Sequence, residues 1–170
     1  MGKEKDLKRK AQLNAKAKVE SLLFQVNWGR KQRMPELAED DSRIVSEVKT
    51  IIQQDLVEDM LTLHNIVDGV RNETGIEPED EKGSLRGAIV PYLLGISKYN
   101  PLEKEWYDGS LLDAERIKLP LQVDIFYDNE VRNRVVDWVK ARYQGMTTRL
   151  GQPALKLQHC TVVFRRVVKS

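Results

Sequence analysis

The chain has 170 residues, of which 41% are hydrophobic and 32% are charged, a balance typical of one folded domain with room for an extension. No stretch approaches the roughly 18 apolar residues of a membrane-spanning helix, and the lysine-rich start lacks the apolar run of a signal peptide. Cys160 is the only cysteine, which excludes an intrachain disulfide and favours a reducing compartment over secretion.

The net charge of +2 hides a strongly uneven distribution. Residues 1–33 carry ten Lys/Arg against three Asp/Glu, whereas residues 36–82 carry fourteen Asp/Glu against four Lys/Arg. Opposed blocks of this kind indicate binding to a polyanion, or ordered contact between copies or partners, and they do not indicate a reaction.

Residues 1–35 are predicted to form a basic helical arm. Alanines and lysines favour a helix over residues 3–26, where apolar side chains form only a thin stripe. Gly29 and Pro35 are expected to break that helix, and cations cluster there around a tryptophan. Such an arm can bind a nucleic-acid backbone or pack on an acidic neighbour, and the sequence leaves both open. The candidate binding residues are Lys8, Arg9, Lys10, Lys16, Lys18, Trp28, Arg30, Lys31 and Arg33.

Residues 42–72 give the clearest helical signal. Apolar residues from Ile44 to Val70 recur at helical spacing and predict one core face. Ser42 is the predicted N-cap, after three acidic residues that suit the positive end of the helix dipole. The acidic residues expected on the opposite, solvated face are Glu47, Asp55, Glu58, Asp59 and Asp68.

The sequence changes character after residue 87. The short apolar run Ala88–Ile96 fits a strand, which Pro91 would restrict to an edge, a bulge or a strand start. Residues Ile117–Tyr127 alternate between apolar and polar side chains and predict a second, half-buried strand.

A further helix and strand are predicted beyond it. Asp128 or Asn129 can cap a helix that runs to about Tyr143, and Leu155–Val168 is a long β-type run. The predicted fold class is α+β, with N-terminal helices followed by a small, mostly antiparallel sheet that packs with an amphipathic helix. Residues 36–170 are predicted to form this single domain.

One glycine pattern can be compared with phosphate-binding loops. The segment Gly83–Gly87 (GSLRG) lacks the Gly-Lys-Ser/Thr of a Walker loop and is not a GxGxxG fingerprint. A flexible turn before a strand is the simpler interpretation. The residues that would contact phosphate are Gly83, Ser84 and Arg86.

Metal and thiol chemistry are not predicted. The two histidines, His64 and His159, lie far apart in the sequence, so a zinc site would need distant segments to meet. The alternating run around Cys160 predicts that its thiol is buried in a strand and that His159 points outward. His64 is expected to be packed against the core or to lie on the surface. No catalytic residue, metal or cofactor is therefore expected.

A stretch of about seventy residues resembles a known family. Residues 74–102 (TGIEPEDEKGSLRGAIVPYLLGISKYNPL) are similar to the segment of bacterial C-family replicative DNA polymerases, the polymerase III α subunit, that enters the palm domain. Leu111–Pro120 (LLDAERIKLP) resembles that family's FLNPERVSMP, and the likeness continues to Tyr143 with one inserted residue. The resemblance implies a palm-like domain.

The family's catalytic pattern is mostly absent. In the family that proline is followed by alternating aspartates that hold two catalytic Mg²⁺ ions, whereas Leu121–Phe126 (LQVDIF) offers only Asp124. One carboxylate cannot supply the two-metal clamp of phosphoryl transfer. The loop also has Glu81 where the family has a glycine. The resemblance therefore implies a palm-like remnant without polymerase activity.

Residues 88–168 also resemble, in the order of their elements, small phage tail-terminator and head–tail joining proteins. The first hypothesis is accordingly a non-enzymatic assembly protein, such as a virion component, whose basic arm contacts another subunit of a homo-oligomer or multi-subunit complex. The alternative is a nucleic-acid-binding, palm-like relative of a replicative polymerase. The third is a minimal nucleotidyltransferase that uses Ser84 on phosphates and Asp124 on metal. The expected location is the cytoplasm or a virion.

Overall fold

The computed structural model describes residues 2–79, 84–109 and 111–168. Its elements in chain order are α1 (Gly2–Arg33), α2 (Ser42–Gln53), α3 (Val57–Thr74), α4 (Ile89–Leu93), β1 (Leu121–Asp128), α5 (Arg132–Arg142), β2 (Met146–Arg149), β3 (Gln152–Lys156) and β4 (Cys160–Val167). Helices thus precede a small sheet that packs with one further helix, and the predicted α+β class is confirmed. Within these residues, no helix combines the length and apolar character needed to cross a membrane.

Helix α1 is continuous, so the predicted break at Gly29 is wrong. The helix runs through Gly29 and ends at Arg33. A Cβ atom added to Gly29 would lie 1.8 Å from the carbonyl oxygen of Leu93, at the end of α4. Glycine is therefore present because α1 crosses α4 at backbone contact, and not because the chain turns there.

The two halves of α1 have different surroundings. Leu22 and Val26 are buried in the core, and α1 contacts both α3 and α4. Residues 2–18 are exposed over their whole length. At 1.5 Å per residue, this exposed part projects about 25 Å from the core as a basic rod.

The single helix predicted over residues 42–72 is two helices, α2 and α3. The N–H of Leu56 donates to the carbonyl oxygen of Ile51 at 2.8 Å, and the N–H of Asp55 donates to that of Ile52 at 3.2 Å. Asp55 has a left-handed backbone, with φ of 57°. This Schellman arrangement ends α2, and it places an aspartate at the position that a glycine usually occupies.

Two helix starts also differ from the predicted ones. Asp41, and not Ser42, caps α2, because its carboxylate accepts a bond from the N–H of Arg43 at 3.0 Å. The Asp128 carboxylate accepts from the N–H of Glu130 at 2.9 Å. Asp128 therefore stabilises the turn before α5 and does not cap the helix itself.

The run Ala88–Ile96, predicted as a strand, contains the short helix α4. Pro91 lies in its first turn, where the missing N–H has no helical partner to lose. The N–H groups of Ile89 and Val90 each donate to the Glu47 carboxylate at 2.9 Å. A cap supplied by another helix thus overrides the β propensity of the apolar residues.

The sheet is mixed and has the strand order β1-β4-β3-β2. Strand β1 pairs in parallel with β4, whereas β3 pairs antiparallel with both β4 and β2. The alternating side chains predicted for β1 are observed, and the long run Leu155–Val168 divides into the end of β3 and the strand β4. Strand β2 was not predicted. The buried residues of β1 are Leu121, Val123, Ile125 and Tyr127.

Candidate nucleic-acid interface

Asp124 and Ser84, forty residues apart in sequence, are neighbours in the structure. Strand β1 lies at the edge of the sheet, and the backbone N–H of Asp124 points away from β4 and donates to Ser84 Oγ at 3.1 Å. The N–H of Glu79 donates to the carbonyl oxygen of Phe126 on the same strand. The chain on either side of residues 80–83 therefore covers the free edge of β1.

The Asp124 carboxylate is paired with a cation. Arg165 Nε lies 3.0 Å from Asp124 Oδ1, and Gln122 Nε2 donates to the same oxygen at 3.2 Å. Arg149 Nε in turn donates to Gln122 Oε1 at 2.8 Å. Two guanidinium groups and one carboxylate leave this part of the sheet surface with a net positive charge.

A resemblance to replicative polymerases implies two Mg²⁺ ions at β1, and the side chains present do not fit them. Gln122 and Phe126 flank Asp124 on the same face of the strand, and neither is a carboxylate. In the described ranges, no three His, Cys, Asp or Glu side chains come together as a metal site. The Asp124 carboxylate is neutralised by Arg165, and the other carboxylate on that face, Asp128, lies four residues further along the strand, about 13 Å away, and accepts from the N–H of Glu130. A two-metal site needs several free oxygen ligands close together.

The candidate binding residues of the arm fall into two groups. Those on the exposed half of α1 project into solvent, apart from Lys18, whose ammonium lies 3.0 Å from the Glu58 carboxylate. Because the helix is continuous, the exposed cations are displayed along one rigid element. The exposed residues of this first group are Lys8, Arg9, Lys10 and Lys16.

The second group lies where α1 meets the core. Arg30 Nη1 donates to the carbonyl oxygen of Leu37 at 2.7 Å, and Arg33 Nη1 donates to that of Tyr92 at 2.9 Å. These two arginines are half-buried, and each donates a hydrogen bond to a backbone carbonyl oxygen. In contrast, Lys31 is exposed and Trp28 is 55% exposed. Burial and the nearby Arg71 lower the pKa of Arg33.

Of the three candidate phosphate-contacting residues, the structure describes Ser84 and Arg86. Gly83 lies outside the described residues. The Ser84 hydroxyl accepts the N–H of Asp124, and the Arg86 guanidinium carbon lies 5.2 Å above the Trp106 ring. Their role in phosphate binding stays a prediction.

Two acidic residues predicted to face solvent are buried. Glu47 is 2% exposed and caps α4, and burial raises its pKa to about 7, against the opposing effect of its two backbone hydrogen bonds. Asp59 is also 2% exposed and accepts from the N–H groups of Gln158 and His159, at 3.2 and 2.7 Å. Both carboxylates join separate parts of the fold.

The predicted environment of the thiol and the histidines agrees with the structure. Cys160 is buried, and burial, together with the neighbouring Asp59, raises its pKa to about 12, which makes it an inert thiol. The His159 ring reaches outward to Asp55, at 3.2 Å. His64 is packed, with Nδ1 2.6 Å from the carbonyl oxygen of Leu94.

Comparison with known proteins identifies one family. The model described as the bacterial DNA polymerase III alpha NTPase domain matches residues 6–152. The DNA polymerase III subunit alpha of Staphylococcus aureus (strain N315) is 34% identical over 62 residues, which are 36% of this chain and 6% of that protein. The subunit of Staphylococcus epidermidis gives the same identity and coverage. The matched segment thus spans a small fraction of the relatives' length.

Proposed function

The chain belongs to the family of the bacterial DNA polymerase III alpha NTPase domain, and from this membership we propose that it is a nucleic-acid-binding, palm-like domain that does not transfer nucleotides. The observation that carries the proposal is the Asp124–Arg165 pair, in which a guanidinium occupies the carboxylate that a metal ion would need. The relatives favour this interpretation over a virion component.

The proposed contact with nucleic acid is electrostatic. The exposed half of α1 carries six cations besides the paired Lys18, and the sheet surface around Arg149 and Arg165 is also positive. The six are Lys3, Lys5, Lys8, Arg9, Lys10 and Lys16. Each phosphate neutralised by such a cation releases a counterion, which gives affinity without reading the base sequence. The relatives are polymerase subunits by name, so we further propose that the chain works within a multi-subunit assembly on DNA.

We expect the full-length protein to bind a labelled DNA oligonucleotide near micromolar Kd at low salt. The variant Lys8→Glu/Arg9→Glu/Lys10→Glu should weaken binding at least about tenfold and reduce the slope of log K against log salt by about 2 to 3, since three phosphate contacts are lost. Fluorescence anisotropy at several salt concentrations measures both quantities. These side chains are exposed, so the substitutions should leave the fold intact.

The matched control reverses two exposed cations of α5, in Arg134→Glu/Lys140→Glu, and should bind DNA within about twofold of wild type. An equal loss of DNA affinity in both variants would contradict a DNA contact located on α1. Absence of binding at low salt, with loss of an oligomer in the α1 variant by light scattering, would instead support the alternative that the arm packs on an acidic neighbour. Lys18–Glu58 shows that such pairing already occurs within the chain.

We expect no nucleotide incorporation or transfer with Mg²⁺ or Mn²⁺. Primer extension with the four deoxynucleoside triphosphates, run beside an active polymerase, measures this directly. Asp124→Asn should leave that result unchanged and strengthen DNA binding by about two- to fivefold, because Arg165 loses its carboxylate partner. Metal-dependent extension that disappears in Asp124→Asn and Ser84→Ala would overturn the non-catalytic proposal and support the nucleotidyltransferase.

A further inference from the structure

Two aromatic side chains of α1 face solvent. Phe24 is 65% exposed and Trp28 is 55% exposed, whereas every other aromatic side chain in the described part of the chain is buried or half-buried. The two residues are four apart, so they stand one turn and about 6 Å of helix rise from each other, away from the core side that holds Leu22 and Val26. Neither ring belongs to the hydrophobic core, and the pair is therefore a candidate contact surface.

Exposed lysines lie on the same side of α1, before and after the two rings. Helical spacing places Lys31 one turn after Trp28 and Lys10 two heptads before Phe24, with Leu13, which is 60% exposed, between Lys10 and the rings. These five residues form the outer strip of α1. The strip is about 32 Å long at 1.5 Å per residue, and it belongs to a helix in which ten Lys/Arg stand against three Asp/Glu.

The acidic groups that border the outer strip do not cancel its charge. Glu20, one turn before Phe24, is exposed and is the one acidic residue among residues 19–33 of α1. In the cavity beside Trp28, two arginines face Asp68 and Glu77, so the charges there balance. The strip with its border thus carries two lysines against one glutamate, and its charge favours an anionic ligand.

We propose that the outer strip of α1 binds single-stranded nucleic acid, with bases stacked on Phe24 and Trp28 and the backbone along the lysines. Stacking on an aromatic ring does not depend on base identity, and it needs a base whose face is free, which a duplex does not offer. A second copy of α1 on the same strip, in either direction, would bring lysines against lysines, whereas a polyanion is attracted along the whole strip. The rings therefore add a preference for single strands to an electrostatic contact that has none.

The inference rests on the proposed binding of nucleic acid and names the form that is bound. Fluorescence anisotropy at low salt compares a labelled oligothymidylate with a hairpin duplex of the same number of nucleotides, and wild type should bind the single strand at least about fivefold more tightly. Phe24→Leu/Trp28→Leu keeps apolar side chains and removes both rings. It should weaken binding of the single strand at least about tenfold and leave the duplex within about twofold, with an unchanged circular dichroism spectrum.

Leu23→Ala is the matched control. Leu23 precedes Phe24, is 46% exposed and points to a different side of α1, toward α2. Its substitution should change the affinity for either probe by less than about twofold. Glu20→Gln removes the acid that borders the outer strip, so both probes should bind about twofold more tightly, a gain that misfolding cannot imitate.

Equal affinity of wild type for the two probes, or single-strand binding that survives Phe24→Leu/Trp28→Leu, would overturn the inference. The proposed function would still stand in that case, provided that Lys8→Glu/Arg9→Glu/Lys10→Glu weakens DNA binding. Absence of binding to both probes would overturn the proposed function as well. Loss of an oligomer in Phe24→Leu/Trp28→Leu by light scattering, with DNA binding unchanged, would overturn the inference in favour of a protein contact on the outer strip.

Discussion

Replacing Gly29 with alanine is expected to destabilise the fold by about 3 kcal/mol, because the added methyl group meets backbone that cannot move aside. The new Cβ would lie 1.8 Å from the Leu93 carbonyl oxygen and 2.6 Å from its carbonyl carbon. Helices α1 and α4 would have to separate, which would loosen the packing of Leu22 and Val26 in the core. Urea denaturation followed by circular dichroism measures the change as a lower midpoint.

The sign of the stability change in Gly29→Ala distinguishes a close helix crossing from open space. In a helix with open space, the same substitution stabilises by up to about 1 kcal/mol, since alanine is the better helix former. Gly2→Ala is the matched control, because nothing lies within 4 Å of the added Cβ. It should shift stability by no more than about 0.5 kcal/mol. Unchanged or increased stability in Gly29→Ala would contradict the close crossing of α1 and α4.

Elements whose apolar residues recur at a clear helix or strand spacing, and which end near a glycine or another turn residue, could be predicted from the sequence. Strand β1 alternates over its whole length, and α5 has its buried stripe at Val135 and Val139, with Gly145 just beyond its end. The boundary between α2 and α3 could not be predicted, because the apolar spacing continues across it. The residue with the left-handed backbone at that boundary is Asp55 and not a glycine.

The burial of Glu47 and Asp59 follows from their positions in the helices and runs against the usual exposure of acidic side chains. Glu47 lies between Ile44, Val48 and Ile51, at the spacing of one helix face. Asp59 has the same relation to Leu56, Met60 and Leu63. An acid inside an apolar stripe therefore signals a partner from another element, here the N–H groups of α4 for Glu47 and those of the β3–β4 turn for Asp59.

The geometry of the candidate sites depends on contacts between distant segments. The resemblance in the sequence singled out Asp124 and Ser84, and the structure brings them together through a backbone hydrogen bond. The neutralising partner, Arg165, is more than forty residues away, and nothing local marks it.

Removing the buried cap of α4 should have the second large effect on stability. Glu47→Ala leaves the N–H groups of Ile89 and Val90 without their acceptor and opens a small cavity, with an expected loss of about 3 kcal/mol. Glu47→Gln keeps the shape and one acceptor oxygen, so its loss at low pH should be about 1 kcal/mol. Urea denaturation of both variants at pH 5 and pH 8 provides the measurement.

The two variants should respond differently to pH. Burial raises the pKa of Glu47 from 4.5 to about 7 in the folded protein, with a smaller contribution from Asp41, while the bonds from Ile89 and Val90 act in the opposite direction. The folded protein thus holds this proton more tightly than the unfolded chain. Its contribution to the free energy of unfolding is complete below pH 4.5 and decreases as pH rises through about 7.

A pKa shift of this size changes the free energy of unfolding by about 3 kcal/mol between low pH, where Glu47 is protonated in both states, and high pH, where it is ionised in both. Glutamine does not titrate, so the stability of Glu47→Gln relative to wild type should improve as pH rises from 5 to 8, and the two curves should converge or cross. Taking the difference between the two proteins removes the titration of all other groups. Wild type gaining stability over Glu47→Gln across this range would mean that the backbone hydrogen bonds outweigh burial, and that Glu47 is ionised at the start of α4 in the folded state.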